Sequence, residues 1–480
     1  MFDGVIVWLT GRLDWLWVDA VVPFGVIVAA IVTVHVLLTK RDVGAAISWI
    51  GLAWLSPIFG GLFYLMLGIN RVKRRAQRRF AGRAASQKPL PAAALAGRDG
   101  HLAPLELAAR RITGRALDAG NALIIYHNGD EAYPPMLAAI CAARTSVALS
   151  SYILNDDQAG GAFIDALIAA QRRGVTVRVL VDGIGSGYFV SGAYRRLRAG
   201  GVPAARFMHS SLPWRMPFLN LRTHKKVLLI DGLAGFTGGM NIAAENVLAT
   251  HPRHPVRDTH FHVAGPVIAQ LMEAFARDWA FATDEELEGP AWFPPLANAG
   301  RASARVVTSG PDADLEKIEF LVLEAIACAR KSIRLATPYF LPDERLITTL
   351  SLAAMRGVTV DVIVPARSNH VLVDWAARAN IGPLLDEGGR VWLNNPPFDH
   401  SKILVVDGEW SMIGSANFDM RSFRLNFELS MEVYDTDLAT ELAKLLDQRQ
   451  NTRLTRDDLA ARSLPTRLRD ALARLAMPYL

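Results

Sequence analysis

The stretches HKKVLLIDG (224–232) and HSKILVVDG (400–408) carry one pattern twice in a single chain. Each sets a histidine and, two places on, a lysine ahead of four apolar residues and an Asp-Gly pair. The apolar run reads as a buried strand, and residues two apart on a strand share a face. His224 and Lys226 therefore project together, as do His400 and Lys402. An imidazole beside an ammonium suits a phosphate, because the lysine neutralises charge while the histidine attacks or moves a proton. One such pair would be a weak signal, since any buried strand can carry a stray histidine. Two at equal spacing, ending in Asp231-Gly and Asp407-Gly, are not coincidence.

Outward from these motifs the rest of the chain also repeats, which makes the repeat the organising feature. AARTSVALSSYIL (142–154) answers CARKSIRLATPYFL (328–341), and Arg173-Gly-Val-Thr-Val177 recurs as Arg356-Gly-Val-Thr-Val360. A β-branched strand follows each, RVLVDG and DVIVPA. After the motifs come FTGGMN (236–241) and MIGSAN (412–417), in step. Small residues there let backbone approach a phosphate, and Asn241, Ser415 and Asn417 can donate hydrogen bonds to its oxygens. Strands alternating with helical patterns predict an α/β fold with a largely parallel buried sheet. Two similar halves predict two such domains packed face to face about a pseudo-two-fold axis.

The bulk numbers agree with a globular enzyme carrying a membrane-seeking surplus. Of 480 residues, 51% are hydrophobic and 20% charged, which excludes disorder as the general state. The net charge of +6 is modest. Cys141 and Cys328 are too few for a disulfide scaffold and lack zinc-site spacing. His260 and His262 resemble a metal pair on a strand, but no Cys or carboxylate cluster accompanies them, so a structural role is expected. Glu432, on the alternating stretch Glu428 to Glu432, is expected to face solvent.

The N-terminal eighty residues belong to a membrane. Ala20 to Leu38 and Val43 to Ile69 are uncharged runs, each long enough to cross a core of about 30 Å. Only Thr39-Lys-Arg-Asp42 separates them, so a two-helix transmembrane hairpin is expected, kinked at Pro57. Trp49 and Tyr64 fall near its expected interfaces. No basic start or small-residue cleavage site marks a signal peptide. Arg71, Lys73, Arg74, Arg75, Arg78, Arg79 and Arg83 follow, which places the rest of the chain on the cytoplasmic side. The expected organisation is membrane hairpin and basic stretch (1–83), linker (84–119), first domain (120–288), connector (289–304), second domain (305–450) and helical tail (451–480). The tail RDDLAARSLPTRLRDALARLAMPYL (456–480) is amphipathic and basic, suited either to a membrane surface or to packing on its own domain.

Two H-x-K-x4-D motifs, with Gly414-Ser-Ala-Asn417-Phe-Asp419-Met-Arg421-Ser422 and Leu425-Asn426-Phe-Glu428 after the second, closely resemble the phospholipase D superfamily. The resemblance covers essentially all of 120–445 and extends to Tyr152-Ile-Leu, Asp182-Gly-Ile-Gly-Ser186, Thr337-Pro-Tyr-Phe340 and Asp278-Trp279. With the hairpin and the basic stretch, the chain looks like a bacterial cardiolipin synthase of the inner membrane. That resemblance implies two phospholipase D-like α/β domains and a two-step displacement at phosphorus. His224 would attack and form a phosphohistidine, and His400 would serve as acid, then base. Lys226 and Lys402 would hold the non-bridging oxygens, with Asn241, Ser415 and Asn417 completing the cradle. Asp258 and Glu428 would each orient a histidine, while Asp231 and Asp407, although part of the catalytic motif, would brace the strand ends. No metal, cofactor or nucleic acid is implied. The expected reaction joins two phosphatidylglycerols into cardiolipin and glycerol; a hydrolytic phospholipase D and a phosphatidylethanolamine-using synthase share these motifs.

Overall fold

The computed structural model describes residues 21–40, 43–68, 100–209, 221–311, 314–475 and 477. They fall into two compact units, 1–75 and 76–480. The basic residues Arg71 to Arg83 and the first part of the expected linker, 84–99, lie outside the described residues, whereas its remainder is structured, with a helix at Ala103–Thr113.

In the N-terminal unit, Val22–Thr39 forms a helix, and among the described residues it alone is long and apolar enough to cross a membrane. Its outer face shows Phe24, Ile27, Ile31 and Leu38, side chains that water would not tolerate as one continuous surface. The second apolar run departs from expectation. It is not one kinked helix but two, Val43–Leu55 and Pro57–Phe63, followed by a π-turn at Tyr64–Gly68. Ser56 leaves the helical region (φ −145°, ψ 78°) ahead of Pro57, as the ring of a proline demands of its predecessor. The bend brings Gly60 against the Leu52 carbonyl, where no Cβ would fit. It also brings the Tyr64 ring to 5.3 Å from that of Trp49. Tyr64 is therefore buried among these helices, its hydroxyl 2.6 Å from His35 Nδ1. Gly25, Ala29 and Ala53 provide the small-residue contacts that let these helices approach.

The second unit is built on one continuous sheet. Its first half runs in space through Asp118–His127, Thr259–Ala264, Ala234–Gly238, Val227–Ile230, Ser146–Ser151, Thr176–Asp182 and Ala204–Phe207. The second half runs through Ala302–Ser309, Glu428–Tyr434, Trp410–Gly414, Ile403–Val406, Ser332–Ala336, Thr359–Pro365 and Arg390–Asn394, with Thr452–Leu454 at its edge. The order is the same in both, which is the pseudo-two-fold symmetry. Two expectations change here. The halves join edge to edge, where Asp118–His127 pairs antiparallel with Ala302–Ser309, rather than face to face. The sheet is also mixed: only the pairings among Ser146–Ser151, Thr176–Asp182 and Ala204–Phe207, and their counterparts, are parallel.

The antiparallel part follows from the motifs. Asp231 and Gly232 have φ of 53° and 65°, and Asp407 and Gly408 have 56° and 69°. The N–H of Leu233 returns to the Ile230 carbonyl, and that of Glu409 to Val406. These are type I′ turns, which the Asp-Gly pair favours, and each folds its strand back on the next. The repeated Arg-Gly-Val-Thr-Val segments also have a shared task. Arg173 donates to the Ile140 and Cys141 carbonyls, and Arg356 to those of Ile326 and Ala327. Each guanidinium thus satisfies the end of a neighbouring helix, Asn128–Ala142 or Lys317–Cys328. Each half has its own apolar core between sheet and helices.

Glu432 corrects a further expectation, because it is fully buried. It sits directly across from Arg305, also fully buried, with Oε1 3.0 Å from Arg305 Nε but off the hydrogen-bond axis. Its other oxygen accepts from Trp410 Nε1 at 3.1 Å. Arg305 continues to Glu106, which also holds Arg110. Strand Glu428–Tyr434 lies deep in the sheet with both faces covered, so alternation along it does not mark a wet side.

Candidate active site

Each histidine enters the site from a backbone pairing with the opposite half. The N–H of His224 donates to the Phe427 carbonyl at 2.9 Å, and that of His400 to the Arg257 carbonyl at 2.7 Å. Phe427 and Arg257 immediately precede the two carboxylates, so both acids are delivered to the histidines by the same construction. His224 Nδ1 lies 3.0 Å from Glu428 Oε1, and His400 Nδ1 lies 2.9 Å from Asp258 Oδ2. The partnership crosses the molecule: the first half's histidine is held by the second half's acid, and the reverse. An Nδ1–H donated to a carboxylate leaves the Nε2 lone pair as the reactive position.

Lys226 and Lys402 are buried, and each ammonium donates to its own motif's histidine carbonyl, Lys226 at 2.7 Å. Lys226 also stands 5.2 Å over the Tyr152 ring, which packs 4.3 Å from the His224 ring. Burial pulls the Lys226 ammonium down to about 8 despite Glu428, and pulls Lys402 down to about 7 despite Asp258. Burial, then the charge of Lys402, holds His400 at about 4. Burial also lowers His224, against the pull of Glu428. Glu428 and Asp258 remain below the ordinary carboxylate range because the histidines and lysines outweigh their burial. Lys226 acts on both His400 and Lys402, so the half-sites share one electrostatic field.

These lysines give a pH dependence with a definite sign. A lysine with a lowered pKa loses its charge as pH rises through that value, and the anionic phosphate then loses its counterion. The apparent kcat/KM, which reports the free enzyme, is expected to fall as pH passes from about 7 to 9, through rising KM. Initial rates against substrate concentration across that range check this; a KM flat to pH 10 would contradict it.

Among the cradle residues, the structure keeps Asn241 and Asn417 nearly buried at the ends of the strands that follow the motifs. Asn241 Oδ1 accepts from the Ile153 N–H at 3.3 Å, leaving its amide N–H groups as the donors. Ser415 is a correction. Its hydroxyl donates to Glu428 Oε2 at 2.5 Å and accepts from the Leu429 N–H at 3.0 Å, so its proton is committed to the carboxylate. Gly239 holds the equivalent place, and a Cβ there would strike the Asp258 carboxylate. One acid thus receives a hydroxyl where the other needs empty space, which makes the half-sites unequal.

Asp231 and Asp407 are not with the histidines. Asp231 accepts from the backbone N–H groups of Arg144, Thr145 and Ser146, and Asp407 from those of Arg330, Lys331 and Ser332. His101 Nε2 adds a contact to Asp407 at 2.7 Å. These donors hold the Asp407 carboxyl below its usual range although burial pushes it up. Asp407→Ala is expected to cost about 2–3 kcal/mol, the scale of hydrogen bonds to a buried charge, with turnover per folded molecule near that of the parent. The thermal midpoint and specific activity, measured together, test this.

His260 is buried and His262 half-buried, the latter packed 5.0 Å from the Phe236 ring. Among the described residues no group of three or more His, Cys, Asp or Glu is placed to hold a metal. Residues that sequence reasoning did not single out complete the site. Asn426 Nδ2 lies 3.1 Å from His224 Nδ1 and donates to Glu428 Oε1, tying the pair together. Asp182 accepts from the Thr223 N–H and fixes the backbone just before His224. Tyr339 and Phe398 flank the His400 ring. The Leu425-Asn-Phe-Glu428 and Thr337-Pro-Tyr-Phe340 segments were visible signals for Asn426 and Tyr339.

A family described as cardiolipin synthase, PLD-like domain, matches residues 136–279 and 322–450. The cardiolipin synthase of Geobacillus kaustophilus is 34% identical over 92% of this chain and 90% of its own length. Cardiolipin synthase A of Pseudomonas syringae is 34% identical over 93% and 95%, and the major cardiolipin synthase of Bacillus subtilis 30% over 92% and 95%. Among solved structures, phosphatidylserine synthase from Haemophilus influenzae superposes with a TM-score of 0.61 at 13% identity, covering 78% of this chain and all of that one. At that identity it speaks for the fold alone.

Proposed function

The chain belongs to the cardiolipin synthase family of PLD-like proteins, and from that premise we propose that it joins two phosphatidylglycerol molecules into cardiolipin and glycerol. It is a phosphatidyltransferase, and one observation carries the course of the reaction: two histidines, each with Nδ1 on a buried carboxylate from the other half. His224 Nε2 attacks the phosphorus of the first lipid and the bond to glycerol breaks. His400 gives that alkoxide its proton, and the entering phosphate, by its negative charge, favours the imidazolium this requires. The neutral His400 then takes the hydroxyl proton of the second phosphatidylglycerol. That oxygen displaces His224 from phosphorus and completes cardiolipin. Lys226 and Lys402 neutralise the non-bridging oxygens, and Asn241 and Asn417 donate to them.

Val22–Thr39 anchors this chemistry in the membrane that holds both substrates. The basic residues from Arg71 to Arg83 favour the cytoplasmic face of a bacterial inner membrane for the catalytic unit. Excluding water from the phosphohistidine favours transfer over hydrolysis. The test supplies labelled phosphatidylglycerol to the purified protein in lipid and separates the products. Cardiolipin with glycerol is expected. Phosphatidic acid alone would make the protein a hydrolase, and a need for phosphatidylethanolamine would change the donor.

A further inference from the structure

The helix Leu464–Arg474 wears two faces. Asp470, Ala473 and the nearby Met477 are buried, the last two clustered with Leu341, Val373 and Ala376. The opposite side exposes Leu464, Leu468, Leu472 and Leu475, each more than 60% accessible. That spacing of four, four and three is one continuous stripe along a helix. Arg467, Arg469 and Arg474 stand exposed beside it. Asp470, the one carboxylate between Ser463 and Met477, is turned inward to Arg462 and Arg469.

This helix is joined to the active site by contact. It packs on Val371–Asn380, and Tyr339, which flanks His400, lies against the same cluster. Val371 and Leu372 are exposed at the start of that second helix, immediately after His370, whose ring meets Tyr339 at 5.6 Å. The first half has a matching feature. Phe189 is 82% and Val190 61% exposed on the loop after Thr176–Asp182, the strand equivalent to Thr359–Pro365. Gly185 of that loop lies against Tyr152, beside His224. Each histidine therefore has an aromatic neighbour, and each aromatic lies beside a segment that carries two exposed apolar side chains.

Resting on the lipid substrate proposed above, we infer that the leucine face of Leu464–Arg474, with Val371-Leu372 and Phe189-Val190, is a docking surface for an anionic bilayer. Apolar side chains would enter the acyl boundary while the arginines meet lipid phosphates. Charge favours this occupant over a second copy of the chain. A two-fold contact through the same stripe would bring the flanking Arg467 and Arg474 of one copy against the same flanks of the other, cation against cation. The surface acts separately from the N-terminal anchor, because it sets how the catalytic unit meets lipid rather than whether the chain stays in the membrane.

The test uses the full chain reconstituted in phosphatidylglycerol/phosphatidylcholine vesicles. Leu468→Glu with Leu472→Glu is expected to lower cardiolipin formation on vesicles about tenfold while leaving the rate on short-chain phosphatidylglycerol in detergent unchanged. Equal vesicle rates, or equal losses on both substrates, would overturn the proposal. As a second measurement, Leu468→Cys in a Cys141→Ser, Cys328→Ser background carries an environment-sensitive fluorophore. Its emission is expected to shift blue when phosphatidylglycerol is raised in the vesicles. A shift that instead needs only higher protein concentration, without lipid, would assign the face to a second copy and overturn it. Should the parent protein form no cardiolipin from either substrate, the proposed reaction fails while the fluorophore still decides the surface.

Discussion

Replacing His224 by Ala is expected to lower phosphatidyl transfer by at least about 10³-fold, and replacing His400 by Ala to lower it by about 10²–10⁴-fold. The two variants differ in what they leave on the protein. Without His224 Nε2 there is no nucleophile, so phosphate-labelled phosphatidylglycerol leaves no acid-labile label on the chain. Without His400 the nucleophile and its Glu428 partner remain, and both leaving-group protonation and acceptor deprotonation slow. Single-turnover label trapping should then find slow appearance and slower loss of the protein-bound label. Full activity in either variant would end the two-histidine course, and label on the His224→Ala protein would reassign the nucleophile.

The second large effect is on stability. Arg305, Arg110, Glu106 and Glu432 form a buried set of two cations and two anions. Removing Glu432 leaves an uncompensated positive charge where no water reaches Arg305. Glu432→Ala is expected to cost about 3–5 kcal/mol, the scale of a broken buried ion pair. Replacing both partners with apolar residues, Arg305→Met with Glu432→Leu, should cost less than either single change, because no lone charge remains. Urea unfolding in detergent, followed by tryptophan fluorescence, tests this. A double variant less stable than both singles would show that the ions contribute more by attraction than they lose by desolvation.

Much of this molecule was legible as text. His224, Lys226, His400 and Lys402 were identified because strand periodicity places them together and the repeat makes chance untenable. The α/β class and the two-fold repeat followed from the same alignment. What was not legible depends on contacts far apart in the chain. Nothing local says that Glu428 serves His224, since their meeting needs a sheet that brings the two halves edge to edge. Ser415 looked free to bind phosphate until Glu428 claimed its proton. Glu432 looked wet because alternation cannot report that both sides of a central strand are covered. Pro57 announced a bend in the second apolar run, but not that Ser56 would leave the helical region and divide the run into two helices. Bracing of the strand ends by Asp231 and Asp407 was expected, but that each Asp-Gly pair folds its strand straight back into an antiparallel hairpin, and so makes the sheet mixed, was not.

The exchange of carboxylates between the halves has a consequence for ancestry. A protein consisting of one such half would own a histidine and an acid that do not reach each other. It could work only as a symmetric pair, each copy lending its acid to its neighbour. In that arrangement every substitution appears twice, so nucleophile and proton carrier cannot be tuned apart. Joining the copies into one chain removes that constraint. Gly239 opposite Ser415 is then the signature of emancipation: one position kept bare for Asp258, its twin given a hydroxyl for Glu428.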